Sequence, residues 1–209
     1  QRGVSDTNVA NPDSIGLTSV DPASSFVLLG GSFAGGSGWG NNEFARARLV
    51  DATHLEIETA TAGSKVSWQV VTMAGASVTR GVTSLASADT QSTVAVPTAP
   101  SGSLLLASYT SDNASGIAAA ALMLESRLAT PTSLSFARVQ GGSNLSVSWE
   151  LVQLPYATIN GVASFAAGVS SLSPSVAGVA ASTSVALSSS QGILGQSGAR
   201  KVTAGQDVV

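Results

Sequence analysis

The sequence predicts an all-β fold built from tandem antiparallel β-sandwich repeats of about 80 residues. The first observation is alternation of apolar and polar residues around Trp68, where valines flank it at every second position. This period of two is typical of a half-buried strand. The second observation is a matching segment around Trp149, 81 positions further along. The third is that clusters of Gly, Ser, Thr and Asn separate the strand candidates.

Internal similarity divides the chain into three units. Arg2-Gly3-Val4 matches Arg80-Gly81-Val82, and a third glycine in a similar setting is Gly161. We therefore expect one sandwich in residues 1–80, a second in 81–160 and an incomplete third in 161–209. The third unit is either truncated or completed by strands of another chain.

A hairpin is predicted around Ala52, between two segments that match Arg127-Leu128 and Leu134 of the second unit. Inward-facing apolar pairs and outward-facing pairs of opposite charge fit one register. The pairs are Leu49 with Leu55, Ala47 with Ile57, Arg48 with Glu56, and Arg46 with Glu58. This register explains four of the chain's few charged residues as cross-strand ion pairs, so they do not require a binding site.

Further strands are predicted at residues 25–30, 65–71, 93–96, 103–109, 134–139, 146–152 and 183–188. The alanine-rich run 117–125 has high helix propensity. Its counterpart in the first unit, residues 43–49, alternates like a strand, so we interpret the run as an alanine-rich strand. We expect Trp68 and Trp149 to anchor the two cores.

Composition excludes several classes of function. The 209 residues include no Cys and one His, and the net charge is −3. A nucleic-acid binder normally carries a basic surface, and metal centres need several His, Cys or clustered carboxylates. The longest apolar stretch, 117–124, is shorter than the roughly 20 residues that span a bilayer. We expect no catalytic activity, no cofactor, no metal, no nucleic-acid partner and no membrane span.

Two clusters nevertheless resemble catalytic groups. Asp51 and His54 would need an activated serine to form a triad, but the sequence has no Gly-x-Ser-x-Gly elbow. Glu56 and Glu58 lie on one strand face, whereas glycosidase carboxylates flank a cleft. We interpret the histidine as an exposed turn residue and the glutamates as partners of arginines.

Two loops are candidates for recognition, because they differ between units whose strands match. The glycine-rich segment 30–42 and its counterpart 109–116 each carry aromatic or amide side chains that suit a glycan or protein partner. A plain connector is the alternative interpretation. The candidate residues are Phe33, Trp39, Asn41, Tyr109, Asp112 and Asn113.

The strand Val66-Ser67-Trp68-Gln69-Val70-Val71 is followed by Ser-Val-Thr-Arg-Gly at 77–81 and preceded by Ala-Arg-Leu at 47–49 and Thr-His-Leu-Glu-Ile at 53–57. This combination resembles tandem modules of tailed-phage virion proteins and is remotely similar to H-type lectin modules, which are six-stranded sandwiches that trimerise. The resemblance implies a structural component of a virion or extracellular assembly, such as a phage tail, fibre or capsid-surface protein. Its partners would be other copies of itself and other assembly proteins. The alternative is a lectin-like adhesion module that binds cell-surface glycans.

Overall fold

The computed structural model describes residues 1–7, 11–32, 44–60, 64–100, 102–112 and 119–155. In these ranges the chain is all-β, as predicted, with twelve strands in four three-stranded antiparallel sheets. The predicted strand 183–188 and the third unit lie outside the described residues.

Six strands form the N-terminal half: β1 (Arg2–Asp6), β2 (Asp13–Gly16), β3 (Ser25–Ser32), β4 (Ala45–Leu49), β5 (His54–Thr59) and β6 (Lys65–Thr72). The other six form the C-terminal half: β7 (Ser77–Leu85), β8 (Gln91–Ala95), β9 (Leu104–Ser111), β10 (Glu125–Thr130), β11 (Ser133–Ala137) and β12 (Leu145–Gln153). A 3-10 turn, Pro22–Ser24, precedes β3, and the helical turn α1, Ala119–Leu122, precedes β10.

Strand pairing follows the same order in both halves. The N-terminal sheets are β1-β6-β3 and β2-β5-β4, and the C-terminal sheets are β7-β12-β9 and β8-β11-β10. The register also corresponds, because Gly3 lies opposite Trp68 and Gly81 lies opposite Trp149. Paired strand positions of one half can therefore be matched to paired strand positions of the other. The strand β7 runs through residues 80 and 81, where the predicted unit boundary lies, and the turn at residues 73–76 connects the halves.

Each half encloses one apolar core to which both of its sheets contribute. In the N-terminal half, Trp68 and Val70 of β6 share a cluster with Leu49, Leu55 and Ile57 of the other sheet. In the C-terminal half, a second cluster joins Trp149 and Val147 of β12 to Leu134 and Phe136 of β11. Both tryptophans thus lie in cores and are less than a tenth exposed.

The predicted hairpin register is confirmed. Leu49 pairs with Leu55, and Ala47 pairs with Ile57, with all four side chains buried. On the opposite face the Arg48 Nη2 atom lies 2.9 Å from Glu56 Oε1, and Arg46 forms an ion pair with Glu58.

The prediction of an alanine-rich strand at 117–125 is wrong. Residues Ala119–Leu122 form one helical turn, and the strand β10 begins only at Glu125. Ala120, Ala121 and Leu122 are buried, and the high helix propensity of alanine favours the helical conformation of this turn. Residues 113–118 lie outside the described ranges.

Substitution of Gly81 tests how closely the indole of Trp149 packs against the neighbouring strand. A Cβ atom at Gly81 would lie 2.5 Å from Trp149 Cζ2, whereas one at Gly16 would meet nothing within 4 Å. We expect Gly81→Ala to lower the free energy of unfolding by about 1–3 kcal/mol because the indole must move. Gly16→Ala is the matched control and should be neutral or slightly stabilising. Denaturant unfolding measures both, and equal stabilities of the two variants would contradict this packing.

Candidate functional site

The two halves meet where edge strands of one reach the outer face of a sheet of the other. In the N-terminal half, β3 and β4 are edge strands of their sheets. An edge strand presents backbone N–H and C=O groups that need partners. The outer face of β7-β12-β9 supplies several of them. We call this arrangement the inter-half contact.

Glu150 on β12 is the central group of the inter-half contact. Its Oε2 atom accepts a hydrogen bond of 2.7 Å from the backbone N–H of Val27 on β3. Its Oε1 atom lies 3.2 Å from Nε of Arg80 on β7. Burial raises the pKa of the Glu150 carboxyl, while the Val27 N–H and Arg80 oppose that rise. The carboxylate is thus buried but has a partner on each oxygen.

Arg80 extends the contact to the carbonyl groups that precede and begin β3. Its Nη2 atom donates to the backbone oxygen of Pro22 at 2.8 Å and to that of Ser25 at 2.6 Å. One guanidinium therefore ties the carboxylate on its own sheet to the other half. The fixed fork of donors makes arginine suited to this bridging.

The edge strand β4 is held by a second set of side chains. The backbone N–H of Ala47 donates to Oγ of Ser108 on β9 at 3.0 Å. The Arg46 Nη1 atom donates to Oγ of Ser146 on β12 at 2.8 Å. Near the same edge, the ring of Phe44 stacks on Tyr109 with centroids 4.8 Å apart.

The inter-half contact buries β12 on both faces. Ser148 and Glu150 point away from the core and yet are 5% and 9% exposed. At the matching positions of β6, Ser67 and Gln69 are exposed, and the strand alternates between buried and exposed residues. The difference arises because the N-terminal half covers the outer face of β12 at Ser148 and Glu150.

Asp51 and His54 lie together on an exposed turn. The His54 Nδ1 atom is 3.0 Å from Asp51 Oδ2, and both side chains are 52% exposed. The same nitrogen also lies 3.0 Å from Oγ1 of Thr53. The Thr53 backbone N–H, followed by the His54 side chain, lowers the pKa of Asp51 to about 2. These bonds close a turn between β4 and β5.

Among the predicted recognition residues, Tyr109 and Asp112 fall within the described ranges. Tyr109, the last residue of the predicted strand 103–109 and the first of the candidate loop, lies in β9, packs against the C-terminal core and has its pKa raised by burial. Asp112 follows β9, and its Oδ1 atom accepts bonds from Ser143 Oγ at 3.0 Å and from Asn144 N at 2.9 Å. The side chains of Tyr109 and Asp112 are therefore engaged in contacts within the chain. Phe33, Trp39, Asn41 and Asn113 lie outside the described residues.

Sequence reasoning missed Arg138, which is only 2% exposed. Its guanidinium donates to four backbone carbonyls, those of Ala86, Asp89, Ala121 and Ser143, at 2.6 to 3.0 Å. Burial lowers the pKa of this guanidinium from its ordinary value. Arg138 thus connects two loops and the helical turn α1 of the C-terminal half, and no local sequence pattern signals such a role.

Within the described residues, no three His, Asp or Glu side chains come together in a way that would hold a metal ion. No helix in those ranges is long and apolar enough to cross a bilayer. Comparison with protein-family models, with curated proteins and with solved structures gives no match to this chain.

The pH dependence of stability tests the Arg80–Glu150 pair. Some carboxyl groups have a higher pKa in the folded than in the unfolded protein. Such a group lowers the free energy of unfolding as pH rises from the unfolded-state pKa to the folded-state pKa. Arg80→Ala removes two influences that lower the pKa of Glu150. We therefore expect the free energy of unfolding to fall more steeply with pH above about 4.5 in Arg80→Ala than in the wild type.

Thermal or denaturant unfolding across pH measures that slope. The double variant Arg80→Ala/Glu150→Gln is the control, because the amide does not titrate and should remove the added dependence. Parallel pH profiles for the wild type and Arg80→Ala would contradict the assigned pairing.

Proposed function

We propose that this chain is a non-enzymatic structural component of a virion or extracellular assembly, built from successive β-sandwich modules. In such a component the contacts between modules, as well as the modules themselves, determine the geometry of the assembly. A phage tail, fibre or capsid-surface protein is the class that the sequence resemblance favours.

The observation that carries the proposal is the inter-half contact. Six hydrogen bonds or ion pairs cross or support it, and they engage backbone groups of β3, of the turn before it and of β4, as well as side chains. Backbone groups of a folded strand hold fixed positions, so bonds to them set one orientation between the halves. Transmitting a fixed geometry from module to module is what a structural subunit requires.

The placement of charge agrees with this role. The pairs Arg46–Glu58, Arg48–Glu56 and Arg80–Glu150 connect strands or halves within the chain. Within the described residues, the hydrogen bonds of the buried Arg138 all go to backbone oxygens. These charged groups contribute to the internal construction of the protein.

The lectin-like alternative receives no specific support from the described residues. Tyr109 and Asp112 were two of its candidate contacts, and both are engaged within the chain. We therefore carry forward the structural proposal alone.

Particle fractionation tests the proposed function. Virions and filaments from the producing culture are separated on a density gradient, and each fraction is analysed for this chain by quantitative mass spectrometry. We expect the chain to co-sediment with particles at a fixed ratio to their main protein. A chain that remains entirely in the soluble fractions would overturn the proposal.

A further inference from the structure

We draw no further inference here: the strongest candidate, the cavity of about 120 Å³ between the end of β4 and the strands β7 and β12, belongs to the inter-half contact already described, its arginines Arg48 and Arg80 already pair with Glu56 and Glu150, and nothing in the described residues shows what ligand or partner would occupy it.

Discussion

The hydrogen bond from the Val27 N–H to the buried carboxylate of Glu150 is the interaction on which the arrangement of the two halves depends. An unpaired buried N–H or carboxylate is costly, so each group requires the other once the halves are in contact. Arg80 neutralises the carboxylate and binds carbonyls beside the same strand, which makes the three groups a unit. Two open backbone groups of the β3 edge, the Val27 N–H and the Ser25 carbonyl, are thereby bonded without an additional strand, which leaves them unavailable for unspecific strand pairing.

The same constraint explains why β6 and β12 differ although their sequences and registers correspond. Both place a tryptophan in a core opposite a glycine, because a Cβ at Gly3 or Gly81 would lie within 2.6 Å of the indole. The residues on the outer faces of β6 and β12 differ in charge, because the other half of the chain covers that face only in β12. Glu150 has a cation and an N–H within reach and is buried, whereas Gln69 is exposed and neutral. The inner face of each strand is thus fixed by core packing and the outer face by its neighbour.

The sequence was sufficient to predict what depends on local pattern. The alternation around Trp68 and Trp149 predicted both central strands, and opposite charges at 46, 48, 56 and 58 predicted the hairpin register. Features that depend on distant contacts were not predictable. Glu150 and Val27 are 123 positions apart, and Arg138 binds loops that no local motif relates. The run at 117–125 was misinterpreted because similarity between the units was preferred over alanine's helix propensity.

Hydrogen exchange at the Val27 amide tests the inter-half contact most directly. In the wild type this edge-strand N–H is bonded to a buried carboxylate, so it should exchange slowly, like the amides of the central strand β6. In Glu150→Ala the acceptor is gone, and the Val27 amide should exchange much faster while β6 stays protected. A Val27 amide that exchanges rapidly in the wild type, or equally slowly in both proteins, would contradict the contact on which this account is built.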